Sequence, residues 1–178
     1  MTAALSLPDT ATLRKARGAF FTPAPIAQYV TEWAVQSASD RVLEPSCGEA
    51  AFLIQAALRV RALAATTATE TTAPELVGVE LHPRSAIAAA ALLSDAGVVG
   101  AEIVTGDFFN FQRFGKFDAV IGNPPYVRYQ DFVGDTRARA REAALRAGVA
   151  LTGLASSWAA FTVHAALQLR VGGRLGLV

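Results

Sequence analysis

Short runs of β-branched and other apolar residues alternate along this chain with longer alanine-rich stretches. The short runs lie at residues 41–44, 76–80, 102–105 and 117–122, and a fifth begins at residue 174. Apolar residues at helical spacing predict helices at residues 23–37, 50–64, 84–95 and 157–169. Such alternation is typical of parallel strands joined by crossover helices, so the sequence predicts an open α/β sheet.

The first predicted helix has a clear start signal. Thr22 is a plausible N-cap and Pro23 suits the first helical position. Its large apolar side chains fall on one face and are Ile26, Tyr29, Val30 and Trp33. A tract rich in Thr and Ala at residues 64–74 predicts a surface loop.

Composition narrows the class of protein. Of 178 residues, 52% are apolar and 17% are charged, which excludes a disordered chain. The 16 Lys and Arg residues nearly balance 15 Asp and Glu residues, so nucleic-acid contacts would need a local patch or another domain. The single cysteine, Cys47, cannot form an internal disulfide, and we expect a reducing, cytoplasmic location.

Neither export nor membrane insertion is indicated. No basic residue precedes the first apolar stretch, unlike in a secretory signal. Residues 147–169 lack Asp, Glu, Lys and Arg, but polar residues and two glycines interrupt them. We therefore expect no membrane span.

Polar residues follow four of the predicted strands. They are residues 44–48 after the first, Glu80 at the end of the second, Asp107 after the third and residues 122–126 after the fourth. Ligands of open α/β sheets bind outside the carboxyl ends of the strands, so these residues predict one crevice.

The crevice has the chemistry of a nucleoside site. Glu80 can accept from two ribose hydroxyls, Asp107 can accept from an adenine amino group, and the turn after the first strand offers backbone amides. A solvated carboxylate for Glu80 and a turn or cap role for Asp107 remain alternatives at this point. The first turn has Gly48 but Ala50 in place of a second glycine, so it is neither a dinucleotide fingerprint nor a P-loop.

The run Asn123, Pro124, Pro125, Tyr126 is the sharpest chemical signal. The prolines restrict the backbone, so the Pro124 carbonyl and the Asn123 amide oxygen can both accept from one amino group. Accepting both hydrogens prepares a delocalised exocyclic nitrogen to attack an electrophile, and Tyr126 can stack on the same base. A tight Pro-Pro turn without chemistry is the alternative.

Other candidates are weaker. His82 and His164 lack neighbouring ligands, so no metal site is predicted. Cys47 has no nearby histidine and is better explained as a small turn residue than as a nucleophile. Arg137, Arg139 and Arg141 form a run that fits either phosphate contacts or a solvated helix face.

Five ordered motifs resemble the adenine-N6 DNA methyltransferases of restriction-modification type, the N6 DNA methylase family. Residues 18–23 resemble its opening motif, 43–48 its first strand and turn, 79–83 its ribose-binding motif and 105–108 its adenine-binding motif. Residues 123–126 resemble its catalytic tetrad. The resemblance implies a Rossmann-like methyltransferase sheet, S-adenosylmethionine as cofactor and a flipped adenine in double-stranded DNA as acceptor.

The resemblance also implies roles for individual residues. It implies that Thr22 and Glu44 hold the methionine portion, that Ser46 and Gly48 supply backbone contacts, and that Glu80 binds the ribose. Leu81 belongs to the same ribose-binding motif. Asp107 and Phe108 would bind the cofactor adenine, and the target base would be held by Asn123, Pro124, Pro125 and Tyr126.

The resemblance further implies a division of the chain and a set of partners. Residues 1–38 would form an amino-terminal segment and helix, and residues 39–178 a methyltransferase core cut off after its fifth strand. DNA would be bound through a target-recognition domain that these residues do not contain, with a restriction or specificity subunit as a further partner. Ala50, where the family commonly has glycine, would be tolerated if its φ stays negative.

Two alternative functions follow from the same motifs. Similar tetrads occur in methyltransferases that act on a release-factor glutamine or a ribosomal RNA guanine. The other alternative is a non-catalytic fragment that serves as an interaction module.

Overall fold

A computed structural model describes residues 22–66, 74–127, 130–131, 133–152 and 155–178. Within these residues the chain forms one five-stranded sheet in the order β3-β2-β1-β4-β5, and every neighbouring pair is parallel. The strands are β1 (Val42–Pro45), β2 (Leu76–Glu80), β3 (Glu102–Thr105), β4 (Phe117–Gly122) and β5 (Leu169–Leu177). The open parallel α/β sheet predicted from the sequence is confirmed.

The described residues also form five helices and one short 3₁₀ turn. The helices are α1 (Ala24–Ala34), α2 (Ala51–Thr66), α3 (Pro83–Asp95), α4 (Gly134–Arg146) and α5 (Ser157–Gln168). The 3₁₀ turn is Phe108–Asn110. None of the described helices is both long and apolar enough to cross a membrane.

The core lies on both faces of the sheet because successive strand residues point to opposite sides. In β1, Val42 packs with α1, α2 and α3, while Leu43 packs on the other face with α4 and α5. In β4, Ile121 faces the first layer and Val120 the second. Strands buried on both faces read as continuous apolar runs, which is why the sequence pattern predicted them well.

The predicted bounds of β2, β3 and β4 coincide with those observed. The last strand is longer than predicted, because it begins at Leu169 rather than residue 174. Its pairing with β4 shifts register between Phe117 and Ala119, and Gly172 has a φ of 78°. This irregularity contains adjacent glycines, so its sequence gave a turn signal inside a continuous strand.

The apolar face predicted for α1 is buried only in part, because Val30 packs against the core but its other three members are exposed. Ala27, Thr31 and Ala34 point into the core, whereas Tyr29 is 76% exposed. Ile26 and Trp33 are also exposed. The helix lies close to β5, where Val30 packs over Gly176 and a Cβ added at that glycine would stand 2.6 Å from a Val30 methyl.

Charged groups fasten β4 and β5 at the end of the sheet away from the predicted crevice. Asp118 accepts from the Arg41 backbone amide at 2.8 Å and pairs with the guanidinium of Arg170. Burial opposes ionisation of Asp118, but these hydrogen bonds outweigh it and lower its pKa. Arg174 on β5 binds Asp40 at 2.8 Å, which joins β5 to the segment before β1.

Of the predicted loop at residues 64–74, residues 64–66 belong to α2 instead. Residues 67–73 lie outside the described residues, as does the part of the opening motif at residues 18–21.

Candidate active site

The turn between β1 and α2 has an unusual backbone. Ser46 and Ala50 both have φ of 58°, and Gly48 between them has φ of 53°. The condition for an unstrained alanine at position 50, a negative φ, is therefore not met. The conformation is imposed from both sides, because the Cys47 amide donates to the Val79 carbonyl at 2.9 Å and the Ala50 amide donates to the Cys47 carbonyl at 2.7 Å.

Glu44 lies beneath this turn, fully enclosed at the end of β1. Its carboxyl oxygens accept from the Leu53 amide at 2.9 Å and the Phe52 amide at 3.4 Å, at the start of α2. Burial raises the pKa of Glu44 to about 8 despite these hydrogen bonds, and the nearby charge of Glu80 raises it further. Glu44 therefore fixes the start of α2 through these two hydrogen bonds. Its contact with the methionine portion of the cofactor stays a prediction.

Glu80 ends β2 on the neighbouring strand. One carboxylate oxygen accepts from the Gly48 amide and the other from the His82 amide, both at 2.9 Å. Each oxygen keeps acceptor capacity beyond these bonds, which a ribose diol can use. The next side chain, Leu81, is 56% exposed and offers an apolar surface beside that carboxylate.

Cys47 occupies the middle of the turn and is buried. Burial, with the neighbouring carboxylates of Glu44 and Glu80, raises the pKa of the thiol far above its ordinary value. A Cβ added at Gly78 would stand 2.9 Å from the Cys47 sulfur. The side chain is thus a packing residue with an inert thiol.

Asp107 follows β3 and caps the 3₁₀ turn. Its Oδ1 accepts from the Phe109 amide at 3.0 Å, and its Oδ2 accepts from the Arg139 guanidinium at 2.9 Å. The capping role and the predicted binding role are compatible, because an ionised carboxylate can accept about four hydrogen bonds.

Phe108 is placed differently from an adenine-stacking residue. Its ring is 4% exposed and packs on Phe161 and His164, with ring centroids 4.7 and 4.8 Å away. His164 is itself enclosed, with Nε2 at 2.9 Å from the Phe111 carbonyl, and burial lowers its pKa. The predicted contact of Phe108 with the cofactor adenine stays a prediction.

Asn123 follows β4 at the centre of the sheet edge. Its Nδ2 donates to the buried Thr22 hydroxyl at 3.1 Å. Its Oδ1 is buried and, among the described residues, has no hydrogen-bond partner. Buried acceptors in folded proteins are nearly always satisfied, so an orphaned one calls for a donor from outside. Asn123 is thus oriented to accept.

The rest of the tetrad is held by hydrogen bonds from α5 and β5. The Ser157 hydroxyl donates to the Pro125 carbonyl at 2.7 Å and accepts from the Val127 amide at 2.9 Å. The Tyr126 hydroxyl donates to the Val178 carbonyl at 2.8 Å, while its residue remains 49% exposed. The loop is therefore fixed, and the Tyr126 ring is accessible for stacking.

Sequence reasoning missed two residues of this arrangement. Ser157 is the first residue of the helix predicted at residues 157–169, and that pattern carries no sign of its hydrogen bonds to the tetrad loop. Arg139 belonged to the arginine run, where one member pairs with Asp107 and another, Arg141, is exposed. Both partnerships join residues about thirty positions apart and depend on tertiary packing.

The structure brings most of the predicted residues to one edge of the sheet. The Gly106 amide donates to the Glu80 carbonyl at 2.8 Å, and the Val178 amide donates to the Gly122 carbonyl at 3.1 Å. The ends of β1, β2, β3 and β4 thus lie side by side. The described residues there are Thr22, Glu44, Ser46, Gly48, Glu80, Leu81, Asp107, Asn123, Pro124, Pro125 and Tyr126.

The model of the family described as N-6 DNA methylase matches residues 7–178. The chain belongs to the N-6 DNA methylase family. The resemblance based on five motifs is confirmed, and the cofactor of this family is S-adenosylmethionine, as predicted.

Two curated relatives of this N-6 DNA methylase are Type II methyltransferases. M.XamI of Xanthomonas campestris pv. amaranthicola is 32% identical over 163 residues, covering 89% of this chain and 28% of that protein. M.CvrRI of Paramecium bursaria Chlorella virus XZ-6E is 33% identical over 109 residues, covering 61% of this chain and 24% of that protein. The chain spans about a quarter of the length of these relatives.

A solved structure shares the fold. The type I restriction-modification methyltransferase subunit from Streptococcus thermophilus has a TM-score of 0.69 and 19% identity, covering 89% of this chain and 34% of that one. The predicted Rossmann-like methyltransferase sheet is thereby confirmed as a fold.

Glu44 gives this N-6 DNA methylase a specific pH dependence of stability. Because its pKa is raised from 4.5 to about 8, the folded chain holds a proton that the unfolded chain releases. Its contribution is most favourable below pH 4.5 and declines as pH rises to about 8. Relative to Glu44→Gln, the wild-type free energy of unfolding should fall by a few kcal/mol across this range. Urea titrations at several pH values measure the difference, and parallel curves would contradict the assignment.

The positive φ at Ala50 predicts an unusual tolerance of glycine. Ala50→Gly loses a buried methyl group but gains about 1 kcal/mol because the left-handed strain is relieved, so stability should change little. Ala56 in α2 is equally buried and provides the control. Ala56→Gly should cost about 2 kcal/mol from lost burial and helix propensity. Equal losses in chemical denaturation would show that residue 50 is unstrained.

Ser157 should stabilise the tetrad through its hydroxyl. Ser157→Ala leaves the Val127 amide and the Pro125 carbonyl without their partner, which should cost about 1–3 kcal/mol. Ser156, whose side chain makes no cap hydrogen bond, is the control, and Ser156→Ala should stay within about 0.5 kcal/mol of wild type. Urea denaturation distinguishes the two, and a neutral Ser157→Ala would argue against this role.

Proposed function

We propose that this chain carries the cofactor-binding and catalytic part of a methyltransferase that transfers a methyl group from S-adenosylmethionine to N6 of a flipped adenine in DNA. The proposal places it in a restriction-modification system, which its likeness to Type II methyltransferases supports. The observation that carries it is the buried Oδ1 of Asn123, which has no hydrogen-bond partner among the described residues and follows β4, the strand between β1 and β5. An exocyclic amino group is a donor of the right kind for this acceptor.

The crevice fits the cofactor at its nucleoside end. Glu80 would accept from the ribose hydroxyls with the capacity left by its bonds to Gly48 and His82. Asp107 would accept from the adenine amino group, and exposed Leu81 would cover an apolar face of the nucleoside. Charge-assisted hydrogen bonds of this kind contribute roughly 1.5–3 kcal/mol each.

When bound, S-adenosylmethionine supplies a methyl group whose bond to the sulfonium sulfur breaks as the bond to nitrogen forms. Asn123 would orient the acceptor nitrogen by accepting one of its hydrogens at Oδ1, while Thr22 keeps the amide from rotating. Tyr126 would stack on the flipped base with its half-exposed ring. Flipping costs a few kcal/mol of unstacking, which stacking and hydrogen bonding offset.

DNA contacts would come largely from outside this chain. Its net charge of +1 provides no global attraction to a polyanion, so a target-recognition domain would supply most phosphate and base contacts. The type I methyltransferase subunit that shares the fold supports a specificity or restriction subunit as a partner.

Substitutions at Asn123 and at Glu80 should distinguish acceptor binding from cofactor binding. In the protein extended to include its target-recognition domain, Asn123→Ala should leave the calorimetric dissociation constant for S-adenosylmethionine nearly unchanged but abolish N6-methyladenine formation in mixed-sequence duplex DNA, measured by mass spectrometry. Glu80→Ala should weaken cofactor binding roughly ten- to a hundredfold, because charge-assisted ribose bonds are lost.

Asn110→Ala, which changes an exposed asparagine, is the matched control and should resemble wild type in both assays. Equal loss of cofactor binding in the Asn123 and Glu80 variants would contradict the acceptor role of Asn123. A methyl group recovered on guanine, RNA or a peptide amide would exclude adenine in DNA as the acceptor.

A further inference from the structure

Arg139 on α4 contacts Asp107, the residue predicted to bind the adenine of the cofactor. Its Nε donates to Oδ2 of Asp107 at 2.9 Å, and the two side chains form an ion pair that is largely shielded on the Asp107 side. This ion pair is additional to the local hydrogen bond that Asp107 accepts from the Phe109 amide. Arg139 belongs to α4, which follows the proposed catalytic tetrad in the sequence.

The Asp107 carboxylate is thereby held at both oxygens. The Phe109 amide fixes Oδ1 at 3.0 Å, and the guanidinium fixes Oδ2. A carboxylate held by a backbone amide alone can still turn about its terminal torsion, since such sp³–sp² torsions are broad. The second donor removes this freedom and leaves one further acceptor position on each oxygen.

Arg139 is itself anchored. The neighbouring Ala140 and, one turn later, Ala143 are fully buried in the same apolar cluster as Phe108 and Phe161. A terminal nitrogen of Arg139 also reaches the Thr136 hydroxyl at 3.4 Å. Arg139 is therefore placed by a packed helix.

We infer that Arg139 is a positioning residue for cofactor binding: it holds the Asp107 carboxylate in the orientation that accepts the C6 amino group of the cofactor's adenine. The inference rests on the proposed function, because it assumes that Asp107 faces that adenine. It assigns α4 a part in recognising the nucleobase of the cofactor.

The test uses the 178-residue chain and S-adenosylhomocysteine, which carries the same adenosine without the transferable methyl group. Arg139→Gln should weaken its calorimetric dissociation constant by about tenfold, as expected when one charge-assisted bond loses its alignment. Arg139→Lys should recover part of the affinity. Arg141→Gln, on the exposed side of α4, should bind like wild type, and urea denaturation checks that each variant is folded.

A second ligand separates positioning from a general structural role. In the analogue of S-adenosylhomocysteine with hydrogen in place of the C6 amino group, Asp107 has no donor to accept from. Arg139→Gln should therefore bind this analogue as wild type does. In an Asp107→Ala background, Arg139→Gln should add no further loss.

Three outcomes would overturn the inference while wild type still binds. These are unchanged affinity in Arg139→Gln, tighter binding, which would mean that the guanidinium competes with adenine, and an equal loss for both ligands. If folded wild-type chain binds neither ligand, the proposed cofactor site fails first and the inference fails with it.

Discussion

Two buried carboxyl groups at the ends of neighbouring strands, those of Glu44 and Glu80, hold the turn on which the site depends. Glu44 binds the first amides of α2, and Glu80 binds the amide of Gly48 within the turn. Between them the chain passes through positive φ at Ser46, Gly48 and Ala50, a conformation that costs non-glycine residues roughly 1–2 kcal/mol each. Hydrogen bonds to Glu44 and Glu80 hold this strained segment of backbone against the sheet. Without such partners the α2 amides and the Gly48 amide would lack acceptors, and the backbone could relax.

Residues 123–127, which we call the acceptor loop, leave one polar atom without a hydrogen-bond partner. The residues around that atom are held in place by hydrogen bonds. Ser157, Val178 and Thr22 each bind a different part of residues 123–127. The orphaned Oδ1 of Asn123 is tolerated because these bonds, together with the fixed φ of two prolines, leave the side chain little room to turn elsewhere. In the proposed function, this preorganisation would place an acceptor before the substrate arrives, so that little reorganisation would be needed during the reaction.

The sequence predicted the sheet and the strand ends well because those features depend on local patterns. Runs such as residues 117–122 are buried on both faces, and the polar residues that follow them mark the edge of the sheet. The sequence could not predict the inward face of α1, where the small residues Ala27 and Ala34 are buried while three of its large apolar residues are exposed. It also gave no sign of positive φ at Ser46 or Ala50, since non-glycine residues rarely adopt it. The Phe108 ring turned inward because three other aromatic side chains surround it, which no spacing rule encodes.

Asp107 and the acceptor loop are both held by helices that pack together on one face of the sheet. Arg139 on α4 reaches Asp107 at the nucleoside end, and Ser157 at the start of α5 binds the acceptor loop. These helices pack on each other through Ala140, Ala143 and Phe161 in a single apolar cluster. Protein interiors are close-packed, so a displacement of either helix is transmitted to the other. The distance between the Asp107 carboxylate and the loop at residues 123–127 is therefore set by helix packing, while the turn after β1 is set separately by α2 on the opposite face.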